Sequence, residues 1–179
     1  MRFASMRNLD ISNGEGVGVS LFVQGCDRHC FNCFNSDTWD FNGGKEWTEE
    51  TKNKFIKLID RPYINRISVL GGEPLAEQNL DEVLSLIKEI RISFPEKTIW
   101  LYTGYKFEDL INGIHYPLDS EWEDKVLRQS IVKLCDVLVD GEYIDEQRDI
   151  TLKWRGSSNQ RVIDAKQSLA QNKIVLYCD

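Results

Sequence analysis

Residues Gly25–Asn35 read GCDRHCFNCFN and hold three of the chain's five cysteines, Cys26, Cys30 and Cys33, in the spacing C-x3-C-x2-C. Gaps this short, filled with turn-permissive residues, suit a loop that wraps a metal centre. Cysteine thiolates hold iron–sulfur clusters, and a four-iron cubane ordinarily takes four such ligands. Three leave one iron without a protein ligand, open to a small molecule. The apolar run VGVSLFV at Val17–Val23 predicts a buried strand leading into this loop. In α/β folds the chemistry sits at such carboxyl ends of strands. The other reading of the loop is a structural zinc site with His29 as fourth ligand. Adjacent His29 and Cys30 suit one tetrahedral ion poorly, and there is no second cysteine pair.

Beyond the loop, strand-like and helix-like runs alternate, which favours βα units, an α/β fold and a mostly parallel sheet. Thr48 is placed to cap a helix, with Glu49 and Glu50 in its first turn and Phe55, Ile56 and Ile59 as its apolar stripe. A strand over Arg66–Leu70 runs into Gly71-Gly72-Glu73-Pro74. Leu80, Val83, Leu84 and Ile87 follow the i, i+3, i+4, i+7 pattern of a helix. Further strands are predicted at Thr98–Tyr102, Asp136–Val139 and, more weakly, Arg161–Ile163, with a helix over Glu121–Leu134. Ile114–Asp119 interrupts the alternation. If the strands run parallel, their glycine-containing turns and the cysteine loop gather on one rim. An open, partial (βα) barrel, with residues 1–179 as a single domain, fits this order. The stretch 165–179 carries no motif.

The 179 residues include 29 acidic and 22 basic side chains, a net charge of −7. That balance argues against nonspecific nucleic-acid binding. No apolar run approaches the roughly 20 residues that span a bilayer, so no membrane role is expected. MRFASMRNLDIS is too polar for a secretory signal. The expected location is therefore cytoplasmic and reducing, where a tight cysteine group is metal-binding or catalytic rather than a disulfide framework. Cys135, in the apolar context KLCDVLV, reads as a packed thiol.

The cysteine spacing after a strand resembles the signature of radical S-adenosylmethionine (SAM) enzymes. The flanking segments narrow the likeness: NGEG at Asn13–Gly16, LFVQGC at Leu21–Cys26, GGEP at Gly71–Pro74, WLYTGY at Trp100–Tyr105, LVDGEY at Leu138–Tyr143 and WRGSSNQRVID at Trp154–Asp164. In this order they resemble the activating enzymes of anaerobic ribonucleotide reductase. The resemblance implies the radical SAM type of open barrel and a [4Fe-4S] cluster on Cys26, Cys30 and Cys33. It implies reductive cleavage of SAM, and a 5′-deoxyadenosyl radical that takes a hydrogen from a glycine of the reductase. A low-potential electron donor such as a flavodoxin is implied as a second partner. The protein supplies ligation and orientation, and the cofactor carries the chemistry.

By the same resemblance Gly71, Gly72, Glu73 and Pro74 receive the SAM ammonium, with Gly72 letting the backbone approach where a Cβ would intrude. Glu73 either adds negative charge there or fixes the turn. The superfamily commonly has an aromatic residue just before the last cysteine; here it is Asn32, and backbone groups of Asn32, Cys33 and Phe34 are expected beside the adenine. Thr103, Asp140 and Asn159 offer polar groups suited to the ribose and carboxylate of SAM, or to the docked partner. Their plain alternatives are strand-end turns and, for Ser157–Asn159, a helix cap. The rival functions are another radical SAM enzyme (an activase for a different glycyl-radical protein, or one like deazaguanine synthase) and a zinc-stabilised interaction module.

Overall fold

The computed structural model describes residues 1–111 and 120–179. Ile114–Asp119 lies outside the described residues. Four strands form the parallel centre of one sheet: β2 (Gly18–Val23), β4 (Arg66–Gly71), β5 (Thr98–Tyr102) and β6 (Val137–Asp140). Four more flank it antiparallel: β1 (Arg2–Asp10), β3 (Lys45–Glu46), β7 (Arg161–Asp164) and β8 (Leu176–Cys178). The order β3-β1-β2-β4-β5-β6-β7-β8 leaves the sheet open. The expected mostly parallel sheet is thus corrected to a mixed one, and the strand at Arg161–Ile163 runs antiparallel to β6.

The helices form where the sequence places their caps and stripes. Thr48 accepts the Thr51 N–H (3.2 Å) at the start of α1 (Glu49–Ile59), which buries Phe55 and Ile59. In α2 (Leu80–Ser93) the periodic Leu80, Val83, Leu84 and Ile87 are all buried, with Leu86 and Ile90. α3 (Phe107–Ile111) and α4 (Ser120–Leu134) follow. Residues 165–179 are structured: α5 (Ala165–Gln171) is capped by the Asp164 carboxylate, which accepts from the Gln167 N–H at 2.9 Å, and β8 pairs with β7.

Strand side chains alternate between the two faces of a sheet, and here the faces differ in kind. Val19, Leu21, Val23, Ile67, Val69, Ile99, Leu101 and Leu138 share one core with residues of α1, α2 and α4. The other face carries Trp100, Val137, Val139 and Val162, packed against Tyr102, Trp154 and Cys178. It also buries polar groups: Arg66 and Ser68 of β4, Ser20 of β2 and Asp10 at the end of β1. The Arg66 guanidinium donates to the Asp10 backbone oxygen at 2.6 Å, and Ser20 donates to its carboxylate at 2.8 Å. The cavity described next opens on this face.

The cysteine-lined cavity

β2 ends at Val23, and the cysteine loop is tied down before its first ligand. The Gly25 N–H donates to the Thr38 carbonyl at 2.7 Å, and that of Cys26 to the Trp39 carbonyl at 3.0 Å. His29 (φ 47°) and Asn32 (φ 53°) adopt the left-handed region, which reverses the chain twice and closes the short gaps between cysteines. The His29 ring packs on Trp39 with centroids 4.7 Å apart.

The GGEP turn leans directly on this loop. The Gly72 N–H donates to the Val23 carbonyl (2.9 Å) and that of Glu73 to the Gly25 carbonyl (2.8 Å). A Cβ on Gly72 would stand 2.3 Å from the Gly25 oxygen. The need for glycine at 72 therefore arises first from the cysteine loop, before any ligand is considered. Asn79 completes the contact: its side-chain amide donates to the carbonyls of Gln24 (3.1 Å) and Glu73 (3.0 Å).

Glu73 is buried, and its carboxylate fixes turns rather than standing free. It accepts from the Leu75 N–H (2.9 Å), the Thr103 hydroxyl (2.8 Å), the Gly104 N–H (2.8 Å) and Arg28 Nε (3.3 Å). Burial pushes its pKa above the usual carboxylate range, against the pull of these bonds. Arg28, between Cys26 and Cys30, also pairs with Glu142 and lies over the Tyr105 ring, 4.1 Å from its centroid. One guanidinium so joins the cysteine loop to the turns after β4, β5 and β6.

Cys26, Cys30 and Cys33 line one cavity of about 570 Å³, together with Gly71, Gly72, Glu73, Tyr102, Thr103 and Gly141. That volume lies in the range of small-molecule sites. Of the expected site residues, Phe34 also lines it, ringed by Tyr143 at 5.0 Å. Asn32 stands beside the cysteines with its amide donating to Asp145 at 2.9 Å, and Pro74 is buried in its turn. Asp140 and Asn159 stand apart, lining a second cavity with Arg28, Glu108 and Arg161. Asp140 shares a strand face with Leu138, and its carboxylate accepts the Phe107 N–H at 2.8 Å at the start of α3. The Asn159 amide donates to the Glu142 carbonyl at 2.8 Å. Cys135 is buried, its thiol donating to the Ile131 carbonyl at 3.2 Å.

Burial pushes the Cys26 thiol up to about 11 and raises Cys30 as well, so a metal must displace protons on binding. Among the described residues no three His, Cys, Asp or Glu side chains already surround one ion position. A cubane makes a different demand, because each thiolate binds a different iron at a different corner. Three thiols on one loop, facing a cavity with glycine-lined walls, fit that donor set.

Arg28 and Asn79 are not among the expected site residues, and Tyr102 and Trp154 appear only within the WLYTGY and WRGSSNQRVID segments, without a role. Arg28 and Glu73 are 45 residues apart, and nothing local links them.

A family model described as a 4Fe-4S single cluster domain matches residues 12–163. The chain is 38% identical over 164 residues to the anaerobic ribonucleoside-triphosphate reductase-activating protein of Salmonella typhimurium, covering 90% of this chain and 97% of that one. It is 37% identical to the protein of that name from Escherichia coli K12, with the same coverage, and 35% identical to that of Enterobacteria phage T4, covering 90% and 93%. The chain therefore belongs to the 4Fe-4S single-cluster family, among the anaerobic ribonucleoside-triphosphate reductase-activating proteins.

Proposed function

We propose that this protein activates anaerobic ribonucleoside-triphosphate reductase by installing a glycyl radical on it, as a single-domain enzyme with an open barrel of the radical SAM type. The observation that carries the reading is the convergence of Cys26, Cys30, Cys33 and the GGEP turn on one cavity. When bound, a reduced [4Fe-4S] cluster supplies the electron that cleaves SAM.

The chain's own residues supply position. Cys26, Cys30 and Cys33 would hold the cluster through three thiolates, leaving one iron open to SAM. The N–H groups of Gly72 and Glu73 bond the carbonyls of Val23 and Gly25, and the carbonyls of Gly71 to Pro74 are suited to receive the methionine ammonium. Backbone groups of Asn32 to Phe34 would take the adenine edge, and Thr103, which lines the cavity, would face the ribose. Asp140 and Asn159 act from behind this wall, by way of Phe107 and Glu142. Electrons come from a low-potential donor such as a flavodoxin, in the cytoplasm. No helix among the described residues is long and apolar enough to cross a membrane.

The test is an anaerobic mixture of reconstituted protein, SAM, reductant and purified reductase. A doublet EPR signal on the reductase, lost when its radical glycine is replaced by Ala, is the expected result. Efficient turnover of a small molecule without that signal would transfer the assignment to another radical SAM activity.

A further inference from the structure

Residues 148–156 form a loop closed at its base. Arg148 bridges to Ser157, the Ser158 N–H donates to the Gln147 carbonyl at 2.9 Å, and that of Asp149 to the Gly156 carbonyl at 3.2 Å. Trp154, at φ 59°, anchors the loop by packing on Trp100 with centroids 5.0 Å apart. Asp149, Ile150, Leu152 and Arg155 line the cavity wall. The loop is thus a preformed projection at the edge of the site.

The loop carries an excess of cations. In a chain of net charge −7, the loop offers Arg148, Lys153 and Arg155 against the single Asp149. None of these three cations forms a close ion pair among the described residues, though Arg148 acts on Asp145 and Arg155 on Asp149 at longer range. Arg155 lines the cavity, its Nε buried without a hydrogen-bond acceptor. Ile150 is 82% exposed at the loop, and Phe31 and Phe34 in the cysteine loop are 73% and 59% exposed. Arg148 lies over the Phe34 ring, 5.3 Å from its centroid, so the loop and the cysteine loop meet beside the cavity.

We propose that the 148–156 loop, with Phe31 and Phe34, is the docking surface for the reductase, engaging a segment that sets carboxylates beside apolar side chains. The proposal rests on the reading of this chain as a reductase activator. The observations favour a protein partner because an excess of cations beside large exposed apolar groups matches a folded acidic–apolar surface. Rim charges of this kind act on association rate and salt dependence, while buried apolar anchors carry affinity.

The experiment measures binding of the purified cognate reductase to the reconstituted, SAM-loaded protein over a range of salt. Arg148→Glu with Lys153→Glu should weaken binding at least about tenfold at low salt and flatten its salt dependence. Ile150→Ser should weaken it without flattening the salt dependence. Iron content should match the parent in both variants, and SAM binding by equilibrium dialysis should match it in the charge-reversed one, which shows that they are folded. If the parent binds the reductase and the charge-reversed variant binds equally well, the docking surface is wrong and the activator reading stands. If the parent itself does not bind or activate the reductase, the activator reading fails, and this proposal with it.

Discussion

Arg28 Nε, between two of the cysteines, lies 3.3 Å from Oε2 of Glu73 in the GGEP turn. The carboxylate is almost fully shielded from water, and the guanidinium shows about a fifth of its surface. Removing the carboxylate leaves Arg28 without that partner and frees the N–H groups of Leu75 and Gly104. Glu73→Ala should therefore destabilise the protein by about 2–4 kcal/mol, chiefly through the freed buried donors, since Arg28 keeps Glu142. Arg28→Gln, at the more exposed end, should cost clearly less. Urea unfolding of both variants under anaerobic conditions checks the order, and the opposite order would contradict it.

Any one of Cys26→Ala, Cys30→Ala and Cys33→Ala should abolish the stable four-iron cluster, read as iron content and brown absorbance. Cys135→Ala should keep both, since that thiol faces the α4 backbone. Full iron content in a Cys30→Ala protein would break the ligand assignment.

Gly72→Val places a side chain against the Gly25 carbonyl. The expected outcome is loss of SAM binding together with a less stable cluster, because the clash is with the cysteine loop itself. Parental iron uptake and parental SAM affinity would together refute this geometry.

Burial tends to raise the Asp10 pKa, but hydrogen bonds from Asn13, Ser20 and Ser12 outweigh it and hold the carboxyl at about 2. A folded pKa below the unfolded one adds stability above the unfolded value, and that stability fades as pH falls toward the folded value. The gain should be complete above about pH 5 and fade between about pH 4 and 2, amounting to about 2 kcal/mol. Glu108, held near 2 by Arg161, strengthens the same acid limb from a more exposed position. Asp10→Asn should flatten that limb in unfolding experiments at graded pH; an unchanged acid limb would show that Asp10 does not carry it.

Tyr177 of β8 packs on Trp100 (5.2 Å) and Trp154 (6.0 Å) and hydrogen-bonds Glu15 of the NGEG segment. Tyr177→Ala should cost about 1–2 kcal/mol and alter tryptophan fluorescence, each aromatic pair contributing about 0.5–1.5 kcal/mol. An unchanged emission spectrum would show that β8 does not close the face beside the cavity.

By itself the sequence determined what local pattern determines. The cysteine loop and its preceding strand, the Thr48 cap, the α2 stripe and the bounds of β5 all follow from spacing, side-chain chemistry and periodicity within a few residues. The ordered motifs also carried the family. The tertiary structure decided the rest, because it depends on pairing between distant segments. β1 and β8 are strands only because neighbours accept their hydrogen bonds, and RFASMRNLD has no clean alternation to announce it. The face that Asp140 presents follows from the register of β6, which turns its carboxylate to α3 instead of the cysteines. Arg28 met Glu73, and Tyr177 met Trp100, only once the sheet brought their strands side by side; a chain read in one dimension holds no distance between them.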